Sequence, residues 1–173
     1  MNRALFLDRD GIMNRLILRE GKWTSPRKIE EFEIIPEAVT LCHRAKELGF
    51  FLALITNQPD VSRGLLSRGE LKKMHTLIKE QIPLDHIEVC TSSNDAYFRR
   101  KPNPGMLLNC AHRFNLSLSA SFFLGDSLKD LQAGNKAKVI TILLQTNYNI
   151  FIHGLADMNC NSLNEVEIIL KNA

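Results

Sequence analysis

Short apolar runs alternate along this chain with longer amphipathic segments, and each run gives way to polar or glycine-containing sequence. Such alternation is typical of buried strands separated by helices that cover them. The predicted strands span residues 4–7, 51–55, 87–90, 122–124 and 139–144. The predicted helices span residues 36–48, 67–81, 104–114, 128–135 and 163–171, the last capped by Ser162. We therefore expect an α/β fold with a mainly parallel sheet of about five strands between two helical layers.

Length and composition limit the setting in which this fold works. With 173 residues and 45% hydrophobic content, the chain can bury one sizeable core, and we expect a single domain over residues 1–173. The net charge is only +3 and the basic residues are scattered along the chain, which argues against a nucleic-acid partner. No apolar run suits a signal peptide or a membrane span, and the cysteines are widely separated. A cytoplasmic protein with reduced thiols and no membrane partner is expected.

The carboxyl ends of the predicted strands carry polar side chains. Open parallel sheets bind ligands at this edge, near the point where the strand order reverses. In chain order the strand ends give Asp8-Arg9-Asp10-Gly11, Thr56-Asn57-Gln58, the segment that leads to Arg100-Lys101, and Gly125-Asp126-Ser127. The irregular residues 11–35 are expected to form a flap beside them, and residues 56–101 leave hardly any room for a separate lid domain. We therefore expect an open site at this edge.

Asp8 and Asp10 lie where the chain leaves the first strand. An isolated Asp-x-Asp is most often only a polar strand exit, but here it accompanies the other polar strand ends. A carboxylate at such a position can attack phosphorus and form an aspartyl phosphate, the role we assign to Asp8. Asp10 can protonate the leaving oxygen and later activate water. Two anions beside a phosphate need a cation, and Mg²⁺ accepts hard oxygen ligands.

The expected metal ligands are Asp8, the carbonyl of Asp10, and Asp126. Asp126 emerges from a strand end just as Asp8 does. Asp130 has two open interpretations, as a further metal ligand or as the partner of Ser127 in a helix cap, because Ser-x-x-Asp is a capping pattern. The two roles can coexist.

Thr56 and Lys101 are candidates for binding the phosphate. The hydroxyl of Thr56 and the amide of Asn57 can hold phosphate oxygens, although turn chemistry alone would explain them. Lys101 precedes a proline-bracketed segment in which Asn103 can cap a helix and Pro104 suits its first position. Such a rigid segment favours the interpretation that Lys101 neutralises the nucleophile and the phosphoryl group over the interpretation that it is a solvated loop lysine.

In this order, the four motifs resemble those of the haloacid dehalogenase superfamily of phosphohydrolases. They are Asp8-x-Asp10-Gly11, Thr56-Asn57, Arg100-Lys101-Pro102 and Gly125-Asp126-Ser127-x-x-Asp130, within residues 4–145. The resemblance implies a Rossmann-like α/β/α sandwich without a separate cap domain. It implies Asp8 as nucleophile, Asp10 as general acid and base, and Thr56 and Lys101 on the phosphate. It also implies Mg²⁺ held by Asp8, Asp10 and Asp126 with help from Asp130.

Within that superfamily, the chain is similar to the capless branch that contains D-glycero-D-manno-heptose 1,7-bisphosphate phosphatase and histidinol-phosphate phosphatase. The similarity rests on Asp8-Arg9-Asp10-Gly11, Thr56-Asn57-Gln58, Arg63-Gly64, residues 100–106 and Gln132-Ala133-Gly134. In that branch an arginine at the position of Arg100 reaches the substrate. Arg63 is a candidate for binding a second anionic group, although an exposed helix-entry arginine is the commoner explanation.

One departure from that branch concerns zinc. Its members usually carry a zinc loop of cysteines and a histidine before the Arg-Lys-Pro motif, whereas here the segment is Cys90-Thr-Ser-Ser-Asn-Asp-Ala-Tyr-Phe-Arg99. One thiol and no histidine cannot make a four-ligand zinc site. Structural zinc is therefore not expected, which weakens the heptose assignment and leaves the catalytic set untouched.

The sequence thus predicts a Mg²⁺-dependent phosphatase for a small phosphorylated metabolite, with a heptose bisphosphate as the best named substrate and a monomer or weak dimer as the assembly. Histidinol phosphate, another phosphomonoester or a nucleic-acid 3′ end are alternatives, the last disfavoured because no extended basic face is present. A non-catalytic phosphate-binding protein on the same fold is an alternative of another class. It would need neither the nucleophile Asp8 nor the acid Asp10.

Overall fold

The computed structural model describes residues 2–172. The strands are β1 Ala4–Leu7, β2 Ile17–Arg19, β3 Lys22–Thr24, β4 Phe51–Asn57, β5 His86–Cys90, β6 Phe122–Gly125, β7 Ile140–Leu144 and β8 Met158–Cys160. The helices are α1 Pro36–Glu47, α2 Arg68–Gln81, α3 Gly105–Phe114, α4 Leu128–Ala137 and α5 Leu163–Lys171. Strands and helices therefore alternate through most of the chain, as the hydrophobic pattern predicts.

The main sheet has six parallel strands in the order β5-β4-β1-β6-β7-β8. From β1 the chain builds outward through β4 and β5, and then returns to β6 on the other side of β1. The strand order thus reverses between β1 and β6, which is the point where open parallel sheets bind ligands. Asp8 directly follows β1, and its backbone N–H donates to Leu124 O of β6 at 3.0 Å.

Alternate side chains of β1 pack into two separate cores. Leu5 and Leu7 cluster with residues of α1, α2 and α5, whereas Ala4 and Phe6 cluster with residues of α3 and α4. All four side chains are completely buried. Burial on both faces explains why this strand is a continuous apolar run rather than an alternating one. The three-layer sandwich expected from the sequence is confirmed.

Two parts of the sheet structure differ from the prediction. The sequence analysis missed the sixth strand, β8. Its sequence lacks the apolar signal of an inner strand, since Cys160 is buried whereas Met158 and Asn159 are exposed. The flap over residues 11–35 contains an antiparallel hairpin formed by β2 and β3. Within residues 2–172 no cap domain is inserted between the strands, as expected.

The predicted helix caps have mixed outcomes. Ser162 caps α5 as predicted, since its hydroxyl accepts from Glu165 N at 3.4 Å. The predicted cap at Asn103 is wrong, because α3 begins only at Gly105. The Asn103 amide instead donates to the carbonyl oxygens of Asp95 and Tyr97, at 3.0 and 3.1 Å. It therefore ties the loop before Lys101 together.

Candidate active site

Lys101 lies between two carboxylates at the carboxyl edge of the sheet. Its ammonium is 2.7 Å from Asp8 Oδ1 and 2.6 Å from Asp130 Oδ1, and it also donates to Ile55 O at 2.9 Å. The three charged side chains come from the end of β1, the first turn of α4 and the loop before α3. Burial would lower the pKa of Lys101, but Asp130 and Asp8 outweigh it and raise that pKa above its ordinary value. Lys101 is therefore a permanent cation.

Asp8, Asp126 and Asp130 form a group that can hold a metal ion. Each offers a carboxylate oxygen, and the three oxygens lie within 4.8 Å of one another. Burial, together with the charges of Asp130 and Asp10, raises the pKa of Asp8 to about 7. Burial and the neighbouring Asp8 and Asp130 raise the pKa of Asp126 as well. These shifts mark a surplus of negative charge that a divalent cation would relieve, so the residues fit Mg²⁺.

Charges counted over the whole site support the same conclusion. Four buried carboxylates face two buried cations: Asp8, Asp10, Asp126 and Asp130 against Arg9 and Lys101. Buried charges are tolerated when they are paired or bind metal. One divalent cation would balance the set.

Asp10 does not belong to this group, and its carboxylate is surrounded by donors. Its Oδ1 accepts from Arg9 Nη2 at 2.8 Å and from Asn14 at 3.0 Å, and its Oδ2 accepts from Gln58 at 2.7 Å and from Ser25 of the flap at 3.0 Å. Burial alone would raise the pKa of Asp10, but the Arg9 charge and these hydrogen bonds hold it below its ordinary value. Because donors occupy both carboxylate oxygens, the backbone carbonyl of Asp10 is the atom left for the metal contact expected from the sequence.

The sequence did not identify Arg9 and Gln58 as site residues, although both lie within the quoted motifs. Arg9 is completely buried, and its guanidinium binds Asp10 and the side-chain oxygen of Gln58, the latter at 3.0 Å. Gln58 also donates to the Thr56 hydroxyl at 2.8 Å. One network thus joins the ends of β1 and β4. The available signal was the position of Arg9 between Asp8 and Asp10. Hydrophobic periodicity does not indicate that such a charged residue is buried.

Thr56 and Asn57 have different positions at the end of β4. Thr56 is completely buried, and the Gln58 contact turns its hydroxyl toward the network around Asp10. The Asn57 side chain instead pairs with the Lys101 backbone, donating to its carbonyl at 2.9 Å and accepting from its N–H at 3.1 Å. Asn57 therefore fixes the loop that carries Lys101, and only its backbone amide remains as the predicted phosphate donor.

Asp130 is the cap partner of Ser127, and it also lies in the group of carboxylates that can hold a metal ion. Its Oδ2 accepts from the Ser127 N–H at 3.1 Å and from the Ser127 hydroxyl at 2.6 Å, as a cap partner does. Its Oδ1 accepts from Lys101, and the residue belongs to the group of carboxylates that can hold a metal ion. Both oxygens are therefore engaged by donors already.

Arg63 and Arg100 pair with carboxylates outside the acidic group. Arg63 is half exposed and pairs with Asp60 at 3.3 Å. The buried Arg100 donates to Asp95 Oδ1 at 2.8 Å and to Ser92 O at 2.9 Å. Its guanidinium thereby holds the loop that replaces the zinc loop of the resembled branch. Both arginines therefore stay candidates for substrate contact.

Tyr148 and Asn149 contact the site and were missed altogether. Tyr148 donates to Asp126 Oδ2 at 2.6 Å, and Asn149 donates to the Asp126 carbonyl at 2.8 Å. Both follow β7, so they lie at the same edge as the other site residues. The polar residues 145–149 after the fifth predicted strand were the available signal, but they contain no acid.

The chain matches known proteins over the region just described. The family model described as haloacid dehalogenase-like hydrolase matches residues 19–144, which include Thr56, Lys101, Asp126 and Asp130 and begin after Asp8. The D-glycero-alpha-D-manno-heptose-1,7-bisphosphate 7-phosphatase of Burkholderia mallei is 36% identical, over 83% of this chain and 79% of that protein. The D-glycero-beta-D-manno-heptose-1,7-bisphosphate 7-phosphatase of Yersinia pestis is 32% identical, over 97% and 95%.

A solved structure is similar over the whole chain. The D,D-heptose 1,7-bisphosphate phosphatase of B. bronchiseptica, in complex with magnesium and phosphate, matches with a TM-score of 0.84 and 27% identity, covering 99% of each chain. Among residues 2–172, no helix combines the length and apolarity that a bilayer span requires. The six-stranded sheet, the residues at its carboxyl edge and these matches agree. The chain belongs to the haloacid dehalogenase-like hydrolase family.

Proposed function

We propose that this chain is a magnesium-dependent phosphatase that removes one phosphate from a heptose 1,7-bisphosphate through an aspartyl phosphate on Asp8. The observation that carries the proposal is the contact of Lys101 with both Asp8 and Asp130, at 2.7 and 2.6 Å, beside Asp126. A buried lysine in contact with the nucleophile can neutralise the charge that gathers as a phosphoryl group approaches. A protein that only binds phosphate has no need of such an arrangement.

Asp8, Asp126 and the Asp10 carbonyl are proposed to hold Mg²⁺. Asp130 helps by fixing Lys101, since both of its oxygens already accept hydrogen bonds. When bound, Mg²⁺ would supply positive charge to the phosphoryl oxygens. Thr56 and the amide of Asn57 are proposed to bind the remaining phosphoryl oxygens.

The chain's own residues can carry both half-reactions. An Asp8 oxygen attacks phosphorus, the bond from phosphorus to the sugar oxygen breaks, and Asp10 donates a proton to that oxygen. Asp10 then accepts a proton from water, whose oxygen attacks the phosphorus and releases Asp8 and inorganic phosphate. The donors around Asp10 stabilise the carboxylate form that the second half requires. Substrate must displace part of this network before Asp10 can donate.

A second anionic group has a set of cations available at the rim. Arg100 and Lys129 both approach Asp95 Oδ1, at 2.8 and 3.9 Å, and Arg63 is close enough to lower the pKa of that carboxyl. Asp95 is 74% exposed at its side chain, so a phosphate can compete with it for these cations. We propose that this cluster binds the phosphate that is not transferred, which favours a bisphosphate over a monophosphate.

Phosphate release tests the proposal. The panel contains the alpha and beta anomers of D-glycero-D-manno-heptose 1,7-bisphosphate, the matching monophosphates, histidinol phosphate, nucleotides and an aryl phosphate, each with and without Mg²⁺. We expect Mg²⁺-dependent turnover that is fastest on a heptose bisphosphate and absent in Asp8→Asn. Turnover confined to another phosphomonoester would correct the substrate. Mg²⁺ binding by a folded protein that hydrolyses none of them would favour the non-catalytic alternative.

The remaining proposals concern zinc, compartment and assembly. The loop after Cys90 is held by hydrogen bonds from Arg100 and Asn103, which supports order without zinc. All four cysteines are buried thiols, in keeping with a reducing cytoplasm. We propose a monomer or weak dimer. Elemental analysis of the purified protein tests whether it lacks zinc, and sedimentation velocity tests the proposed monomer or weak dimer.

A further inference from the structure

The loop after β7 holds both the backbone and the side chain of Asp126. Tyr148 Oη donates to Asp126 Oδ2 at 2.6 Å, and Asn149 Nδ2 donates to the Asp126 carbonyl at 2.8 Å. Asn149 is 2% exposed and also donates to Leu144 O at 2.9 Å, which anchors it to the end of β7. Consecutive residues of one loop thus fix a single acid at two points.

Gly11 and Trp23 fix Tyr148 from the other side. A Cβ atom on Gly11 would lie 1.9 Å from Asp126 Oδ2 and 3.0 Å from the Tyr148 hydroxyl, so both groups pack directly against the backbone there. The Trp23 ring in the β2–β3 hairpin lies 5.9 Å from the Tyr148 ring, centroid to centroid, at an interplanar angle of 49°. Aromatic pairs at this separation attract each other. The Tyr148 ring is therefore held between the hairpin and the acid.

We propose that Tyr148 is a positioning residue that orients the Asp126 carboxylate for the metal ion and connects the metal site to the Trp23 hairpin. The inference rests on the proposed magnesium site. The Tyr148 hydroxyl donates to Oδ2 of Asp126, which is one of the three carboxylates that can hold a metal ion, so the hydrogen bond restricts the rotation of that carboxylate. Hydrogen-bond partners of metal ligands commonly set both ligand orientation and metal affinity.

The direct test is the affinity for Mg²⁺ without any substrate, measured by titration calorimetry. The chain has two tyrosines, so Tyr97→Phe is a matched control for Tyr148→Phe. We expect Tyr148→Phe to raise the dissociation constant for Mg²⁺ about 10-fold, the lower end of what loss of such a partner costs, and Tyr97→Phe to leave it unchanged. Asp126→Asn should abolish binding, which identifies the titrated site.

Trp23 offers a second readout because it is the one tryptophan in the chain. We expect its fluorescence to change when Mg²⁺ binds the wild type. In Tyr148→Phe the midpoint of that change should shift by the same factor as the calorimetric dissociation constant. At saturating Mg²⁺, the turnover number of Tyr148→Phe should approach that of the wild type, because a positioning residue affects loading and not the chemical step.

Equal Mg²⁺ affinity in Tyr148→Phe and wild type would overturn the proposal, and an unresponsive Trp23 emission would overturn the connection to the hairpin. If Tyr148→Phe does not unfold cooperatively, Trp23→Ala decides, since it removes the ring that holds Tyr148 and spares the hydroxyl. Weaker Mg²⁺ binding in Trp23→Ala supports the proposal, and unchanged binding contradicts it. Absence of phosphatase activity would defeat the proposed function and leave these binding results standing.

Discussion

Lys101 Nζ lies 2.6 Å from Asp130 Oδ1, and both side chains are almost completely buried. The same ammonium reaches Asp8 Oδ1 at 2.7 Å, so the lysine is fixed by Asp130 against the proposed nucleophile. Asp130 is in turn fixed at the start of α4 by its two hydrogen bonds to Ser127. The helix cap and the placement of the proposed catalytic cation are therefore one structural feature.

Replacing Lys101 with methionine removes this cation and keeps much of the side-chain volume. We expect the turnover number to fall by about 10² to 10³, the usual cost of losing one donor to a developing charge. Steady-state phosphate release checks the expectation. Lys79→Met, on the exposed side of α2, is the control and should behave as wild type. A Lys101→Met enzyme of nearly normal turnover would contradict the role assigned to this residue.

Asp126→Asn is expected to stabilise the metal-free protein while abolishing its response to Mg²⁺. Burial, Asp8 and Asp130 raise the folded pKa of Asp126 above its unfolded value, so the ionised form costs stability near neutral pH and a neutral amide relieves that cost. We expect a gain of about 1 kcal/mol in the free energy of unfolding without Mg²⁺. Denaturant unfolding with and without Mg²⁺ measures both effects.

Asp157→Asn is the matched control for that experiment. Its carboxylate accepts from the Thr141 N–H at 2.8 Å and from the Thr141 hydroxyl at 2.7 Å, so it is well paired in the fold. Replacement should therefore lower the free energy of unfolding and preserve the stabilisation by Mg²⁺. A loss of stability in metal-free Asp126→Asn would argue against the charge surplus at the site.

Gly11→Ala tests the close approach between the flap and the metal group. Gly11 has φ +87°, and an added Cβ would lie 1.9 Å from Asp126 Oδ2. Gly49 has φ +81° with no atom within 4 Å of such a Cβ, so Gly49→Ala carries the same backbone strain without the collision. We expect both variants to lose stability and only Gly11→Ala to lose Mg²⁺ affinity. Equal Mg²⁺ affinities in the two variants would show that Asp126 has room to move.

The loss of folding stability at acid pH should depend on His75. Burial and the nearby Arg9 lower the pKa of His75 from 6.5 to about 4. As the pH falls through this window, the unfolded chain takes up a proton that the folded chain resists, so the free energy of unfolding falls. Above the ordinary histidine pKa of 6.5, the contribution of His75 to the free energy of unfolding is fully present. We expect His75→Gln to have a shallower acid loss than the wild type, measured by denaturant unfolding at several pH values.

His43→Gln is the control for that profile, because His43 lies on the exposed face of α1. Its stability should follow the wild-type curve throughout. If His75→Gln also followed the wild-type curve, His75 would not be held neutral in the folded protein.

The sequence predicted the residues that follow strands with a clear apolar signal. Asp8 and Asp126 come together because the ends of β1 and β6 meet at one edge of the sheet, a consequence that needs only the order of elements. Lys101 reaches Asp8 from the loop before α3. The cap at Ser162 follows equally from local pattern. Asn103 was wrongly predicted to cap a helix. Its side-chain amide donates instead to the carbonyl oxygens of Asp95 and Tyr97, and the pattern at the helix start does not indicate these contacts.

The rest of the site depends on contacts that leave no local pattern. Arg9 is buried because Asp10 and Gln58 pair with it, and neither burial nor pairing can be read from its neighbours in the chain. Tyr148 reaches Asp126 from a loop 22 residues away in sequence. The strand β8 was missed for a related reason, since an edge strand with one buried residue has no hydrophobic signature.

The central claim, that Asp8 becomes phosphorylated during turnover, can be tested by trapping the acyl phosphate. The enzyme is mixed with a heptose 1,7-bisphosphate and Mg²⁺, quenched in acid during turnover, reduced with borohydride and analysed by peptide mass spectrometry. Reduction converts an aspartyl phosphate to homoserine, so the account predicts homoserine at position 8 in the wild type and none in Asp8→Asn. Steady phosphate release without modification of Asp8, or with homoserine at another aspartate, would contradict it.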